Sequence, residues 1–321
     1  MTELRYDGKV AVITGGGRGL GASYARLLAA RGAAVVVNDA AVNVHSADER
    51  PDPATELAGE ITAAGGQAVA DQHDVVTDGA AVVERALDVF GRVDIVLNNA
   101  GFAAGGMFAD MDPDVFDRAC DVHIKGSRAV LKAAWPHLVA SGAGRVVNTA
   151  SNAVIGGAGN SPYATGKAAV FGFTRAVSHE AKRFGINVNV IMPCAYTRLT
   201  AMVPDEALLR FLVDHCQPER IAPFVAWLAH ESCALTGECF SVGGGRAARV
   251  FLGEAPGVVI PEGGRPEDWA ERVDELMAVD GFRIPRNMLE DVEFHAERIG
   301  VREPVTVMGT TEWAARRASN D

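Results

Sequence analysis

The chain has 321 residues, 48% hydrophobic and 22% charged, an ordinary globular balance with room for one large α/β core plus an extension. A formal net charge of −11 excludes duplex DNA or RNA as the main partner, because that needs a basic footprint; a local basic patch would still serve an anionic substrate. The five cysteines form no CxxC pair and read as reduced thiols. No apolar run approaches the ~18 residues of a bilayer span, and Met1-Thr2-Glu3-Leu4 runs straight into the first strand without a secretory leader. The end, Ala318-Ser319-Asn320-Asp321, differs from the peroxisomal SKL address. The expectation is a cytoplasmic protein with no membrane partner.

In chain order, short β-branched runs at 9–14, 33–38, 68–70, 93–97, 145–149, 186–191 and 239–242 read as strands. Several are nearly continuous in Val and Ile, as in strands buried on both faces of a parallel sheet. Helical stretches separate them at 19–31, 54–64, 80–90, 115–140, 163–184 and 221–231. This alternation predicts an α/β fold with a Rossmann-type, doubly wound parallel sheet. The polar insert 40–53 reads as a surface loop, and 193–218 as a long loop placed to cover a substrate. The organisation expected is one domain, 1–245, with a C-terminal extension, 246–321, packing on it. In that extension 257–260 reads as strand-like, and 267–278 and 287–298 as helical.

After the first strand comes Thr14-Gly15-Gly16-Gly17-Arg18-Gly19-Leu20-Gly21, opening a helix. Glycines there let the backbone turn tightly and approach a pyrophosphate at the helix N-terminus. No Gly-Lys-Ser/Thr follows, so this is not a P-loop. Asp39 lies 18 residues past Gly21, where a carboxylate accepts both ribose hydroxyls of NAD and repels a 2′-phosphate. Arg18 pulls the other way, since a guanidinium in this loop attracts a 2′-phosphate; Asp39 outweighs it, and NAD is the cofactor expected.

Asn98-Asn99-Ala100-Gly101 closes the fourth strand, Ser151 follows the fifth, and Tyr163-Ala164-Thr165-Gly166-Lys167 opens a long helix. Tyr and Lys at i and i+4 share a helical face, and a nearby ammonium favours phenolate over phenol. Such a tyrosine would exchange a proton with an alcohol or a carbonyl.

With TGGGRGLG, NNAG, Ser151 and YATGK in order, the chain resembles the short-chain dehydrogenase/reductase family over roughly 5–245. The resemblance implies that Ser151 hydrogen-bonds the substrate oxygen, Tyr163 exchanges the proton, and Lys167 holds the nicotinamide ribose and tunes Tyr163. It implies cofactor contacts from Gly15, Gly17, Arg18, Gly19, Leu20, Gly21, Asp39, Asp74, Val75, Asn99, Ala100, Gly101, Tyr163 and Lys167, and from Pro193, Ala195 and Thr197 beside the nicotinamide amide. It also implies a homodimer or homotetramer.

Two departures stand out. Where the family carries an asparagine serving a water relay to the lysine, this chain has His123, read either as a relay or as helix packing. The serine-to-tyrosine spacing is 12 residues, one short of the family's usual 13. Within the family, the stretches DVHIKGS, AAWPH, TRLT and APFVAWLAHESC resemble the (3R)-hydroxyacyl-CoA dehydrogenase modules of peroxisomal multifunctional enzymes of type 2. The substrate implied is a small molecule, a 3-hydroxyacyl-CoA or a hydroxysteroid, with secondary alcohol and ketone interconverted. An NADPH-dependent ketoacyl reductase and a non-catalytic dinucleotide sensor are the rival readings.

Outside the motifs, His230, Glu231 and Cys233 lack zinc spacing and read as a helix end, with no metal expected. Cys194 has no histidine partner to activate it, Trp135, Phe224 and Trp227 read as core or interface, and Lys125 and Arg198 as surface charges.

Overall fold

The computed structural model describes residues 3–40, 52–201 and 205–301. Most of the polar insert expected at 40–53, part of the loop expected at 193–218, and the chain end therefore lie outside the described residues. The chain divides into two compact units, Met1–Val250 and Phe251–Asp321.

The first unit is built on a sheet of β1 (Val10–Thr14), β2 (Ala34–Asn38), β3 (Gln67–Asp71), β4 (Ile95–Asn98), β5 (Arg145–Thr149), β6 (Asn187–Pro193), β7 (Cys239–Gly243) and β8 (Arg246–Val250). Its strand order is β3-β2-β1-β4-β5-β6-β7-β8. Pairing is parallel up to β7, and only β8 runs antiparallel. Helices α1 (Gly19–Ala30), α2 (Pro53–Ala63) and α8 (Ala222–Ala229) supply side chains to one core layer, with Leu28, Leu57 and Val225 among them. Helices α3 (Gly79–Phe90), α5 (Ser127–Ser141) and α6 (Ser161–Ala181) supply the other, with Val82, Leu131 and Ala181. A sheet covered on both faces explains why β1 and β2, VAVIT and AVVVN, are buried at every position.

The extension expected from 246 begins later, at Phe251, because the tight Gly243-Gly244-Gly245 turn folds β8 back onto β7. The stretch 193–218 is not all loop: Asp205 accepts a hydrogen bond from Leu208 N at 2.8 Å and caps α7 (Glu206–His215). The helix expected at 115–140 is two, α4 (Pro113–Cys120) and α5, joined by a π-type turn, Asp121–Gly126. The second unit carries α9 (Pro266–Ala270), α10 (Val273–Met277) and α11 (Met288–Arg298), so the helix expected at 267–278 is broken in two. The strand expected at 257–260 does not form; a single bridge between Glu254 and Arg283 takes its place. Arg283 also pairs with Glu297 through both amino groups, and its guanidinium lies over the Phe294 ring.

A buried polar chain ties α6 to the sheet. Asn98 Nδ2 donates to Asn148 Oδ1 at 2.9 Å, Asn148 Nδ2 donates to Thr174 Oγ1 at 2.9 Å, and Thr174 Oγ1 donates to Val170 O at 2.8 Å. Asn148 and Thr174 are both fully buried, so each bond satisfies a group that water cannot reach. Thr174→Val would strand the Asn148 amide at a cost of about 1–3 kcal/mol. Urea unfolding should show a lowered midpoint with an unchanged slope, and a change of under ~0.5 kcal/mol would mean the chain is dispensable.

Candidate active site

Strand order reverses between β1 and β4, so a crevice opens where their carboxyl ends part. The glycine loop and the Asn-Asn-Ala-Gly turn meet there. Asn99 N and Ala100 N both donate to Thr14 Oγ1, at 3.0 and 3.1 Å. The Asn99 side chain donates to the carbonyls of Thr14 and Gly15, at 3.1 and 3.0 Å. Thr14, which the motif reading passed over, is thus the joint between the two turns; its place directly before the glycine run was the available signal.

Two glycines make the cradle. A Cβ on Gly21 would fall 2.2 Å from the Gly15 carbonyl oxygen, so no side chain fits where α1 packs on the loop. A Cβ on Gly17 would fall 2.8 Å from Pro53 Cβ and 2.9 Å from Asp39 Oδ2. Gly17 N instead donates to Asp39 Oδ2 at 3.2 Å, which fixes the carboxylate against the loop at the end of β2. Arg18 is the N-terminal flanking residue of α1, in extended conformation, and makes no side-chain cap. Thr197, on the turn after β6, reaches to 3.4 Å from the Cβ position of Gly19. A glycine cradle, a helix N-terminus and a carboxylate in this order fit a dinucleotide.

At the other end, Asp74 is engaged with Val76 N at 2.7 Å and the Arg118 guanidinium at 3.0 Å. Val75 is buried and meets the π-type turn: a Cβ on Gly126 would fall 2.6 Å from Val75 Cγ2.

Helix α6 carries Tyr163 and Lys167. The Lys167 amine is buried, donates to the Thr149 carbonyl at 2.7 Å, and stands 5.7 Å from the centre of the Tyr163 ring. Burial pulls this amine down from 10.5 to about 7. Burial also pushes the Tyr163 hydroxyl above the ordinary phenol value, opposed by its hydrogen bond with Ser151. Of these two effects on the phenol, burial is the larger. Ser151 caps a short helical turn, Asn152–Ile155, accepting from Ala153 N at 3.2 Å. That turn and the glycines behind it take up the short spacing to Tyr163.

His123 points inward from the π-type turn with 1% of its surface exposed. Its ring meets Tyr163 edge-on at 5.2 Å and stacks on Phe102 at 5.8 Å. Phe102 N donates to Nε2 at 3.4 Å, so in the neutral ring the proton sits on Nδ1, which has no partner among the described residues. Burial, and then the Lys167 charge, lower this imidazole to about 2. Glycines admit the ring: a Cβ on Gly101 or Gly166 would fall 2.9 or 2.8 Å from it.

A family model described as short chain dehydrogenase matches residues 9–207, which include the glycine loop, Ser151, Tyr163 and Lys167. The chain is a short-chain dehydrogenase.

As such it binds a nicotinamide dinucleotide and acts on a CH–OH group. Over 261 residues this dehydrogenase is 40% identical to the peroxisomal multifunctional enzyme type 2 of Drosophila melanogaster, covering 80% of this chain and 42% of that protein. The structure of that full-length enzyme superposes with a TM-score of 0.77 at 31% identity, over 92% of this chain and 50% of the other. A crystal structure of a short chain dehydrogenase from Mycobacterium avium gives a TM-score of 0.72 at 34% identity, over 85% and 96%. The chain thus spans less than half the length of its multifunctional relative.

Residues outside the crevice behave as core and surface. His230 ends α8 and bonds Ser232 and the Arg5 carbonyl, and no metal cluster occurs among the described residues. Trp135 packs edge-on against Phe184, and Phe224 meets both Trp227 and Phe240. Lys125 pairs with Asp121 at 3.6 Å, and Arg198 is exposed. No described helix is long and apolar enough to cross a membrane.

The depressed Lys167 has a consequence for stability. Between its folded value of about 7 and its ordinary 10.5, the unfolded chain holds a proton that the folded chain lacks, so stability rises with pH across that window. Lys167→Met should therefore stabilise the protein at pH 6–7, on the order of 2–4 kcal/mol, with the gain fading toward pH 10. Thermal unfolding at both ends of the range checks this; a pH-independent difference, or a loss at pH 7, would contradict it.

Proposed function

We propose that this dehydrogenase interconverts the secondary alcohol and ketone of a 3-hydroxyacyl-CoA, using NAD. The bound nicotinamide would accept or return the hydride. Tyr163 takes the hydroxyl proton in oxidation and returns it in reduction, while Ser151 donates a hydrogen bond to the substrate oxygen as negative charge develops there. Lys167 holds the ribose and the tyrosine in register. Asp74 and Val75 flank the adenine, and Asn99, Ala100 and Gly101 line the cofactor. His123 serves as a neutral neighbour that holds the Tyr163 ring, consistent with its edge-on contact and its engaged Nε2.

The observation that carries the substrate class is the character of the two loops beside the catalytic hydroxyls. Gly106 N donates to the Gly159 carbonyl at 2.9 Å, joining the loop after β4 to the loop before α6. Met107, Phe108 and Ile155 on these loops are 62%, 77% and 80% exposed. Apolar side chains displayed beside a polar catalytic centre suit an acyl chain or a sterol skeleton. The multifunctional relatives favour the acyl-CoA, and assembly as a homodimer or homotetramer follows the family. A non-catalytic sensor would not require Ser151, Tyr163 and Lys167 to converge.

Tyr163→Phe should abolish turnover while leaving NADH binding, read by fluorescence titration, within about twofold; sustained activity would remove the tyrosine from the mechanism. Asp39 separates the NADPH-dependent reductase reading. Wild-type enzyme should use NADH far better than NADPH, and Asp39→Ser should shift the ratio of kcat/KM values toward NADPH by about tenfold or more. If wild-type protein already prefers NADPH, the cofactor assignment falls.

A further inference from the structure

We propose that Cys194 and Cys216 form an oxidisable dithiol, a modification site at which a hydroperoxide joins the turn beside the cofactor to the end of α7. Their sulfurs lie 3.8 Å apart, although 22 residues separate them in sequence. Both backbones are pinned. Cys194 N donates to the Val242 carbonyl at 2.8 Å, and a Cβ on Gly243 would fall 2.9 Å from Cys194 Cβ, so the residue sits directly on the end of β7. Cys216 closes α7: its N donates to Leu212 O at 2.9 Å and its carbonyl accepts from Tyr196 N at 2.7 Å. Bonding requires the two sulfurs to close from 3.8 Å to about 2.05 Å.

The two thiols differ in access, which sets the order of events. Cys216 is 1% exposed, and burial, with Cys194 beside it, pushes its thiol up to about 11. Cys194 is only partly buried and is the sulfur an oxidant meets first. Its thiolate attacks a peroxide oxygen, breaking the O–O bond to give the sulfenic acid and releasing water from hydrogen peroxide. The Cys216 sulfur then displaces the sulfenic hydroxyl, which leaves as water with the thiol proton. In sum, two thiols and one hydrogen peroxide give one disulfide and two waters, and a dithiol reductant reverses it. The bond would fix the turn that carries Thr197 against the glycine loop, and so hinder exchange of the dinucleotide.

The experiment treats the full chain with hydrogen peroxide, blocks the remaining thiols with iodoacetamide and maps the digest by mass spectrometry, with turnover followed in parallel. The expected result is a peptide linking Cys194 to Cys216 that disappears with dithiothreitol, and a loss of turnover that the same reductant restores. In Cys216→Ser, Cys194 should pass on to the sulfinic acid and the loss should no longer be reversible. Oxidation confined to Cys120, Cys233 or Cys239, separate oxidation of Cys194 and Cys216 without a link, or a link that leaves turnover untouched would each overturn the proposal. The wild-type map decides the linkage even if the serine variant does not fold.

Discussion

Everything in the site depends on one amine kept out of water. Lys167 stands in the floor of the crevice with its charge offset by the Thr149 carbonyl, 2.7 Å away, and the protonated form is disfavoured enough to bring it to about 7. Such an amine stays put only on a stiff support. Helix α6 supplies that support because Thr174, two turns further on, is bonded through Asn148 to Asn98, and those asparagines lie on neighbouring strands of a fully covered sheet. The same two strands end in Asn99 and in the segment leading to Ser151, so the polar chain that holds the helix also sets the spacing between cofactor turn, serine and tyrosine.

Much of this is legible in the sequence. The buried strands show as nearly unbroken Val and Ile runs; the Gly, Asp and Ser signals fall at strand ends, and the Tyr and Lys signals on the first turns of α6. What failed to show has physical reasons. Strand β8, RAARV, has arginines three apart and follows three glycines, so no period-two hydrophobic pattern separates it from the tail. The mixed composition of 193–218 reads as loop, although Asp205 and the EALLRFLVDH pattern form a capped amphipathic helix within it. The π-type turn depends on one extra residue being accommodated by packing on Val75 and Gly166, which no local pattern records.

His123 shows what that extra residue achieves. A regular helix through 115–140 would rotate successive side chains evenly; the wider turn aims this imidazole at Tyr163 and lets Gly101 and Gly166 close on both sides of it. The tight fit explains why the ring is neutral: there is no room for water to solvate a charge, and Lys167 adds repulsion. Held neutral in this way, the imidazole adds no positive charge beside the Tyr163 hydroxyl.

The sequence rule that an ammonium acidifies a neighbouring phenol assumes that the ammonium is present. Here one environment acts on both partners, and desolvation disfavours phenolate and ammonium alike, raising the first and lowering the second. The protein alone thus favours an uncharged phenol beside an amine poised near neutrality. Each ion alone is disfavoured by burial, whereas a phenolate and an ammonium formed side by side attract, so each ionisation would ease the other.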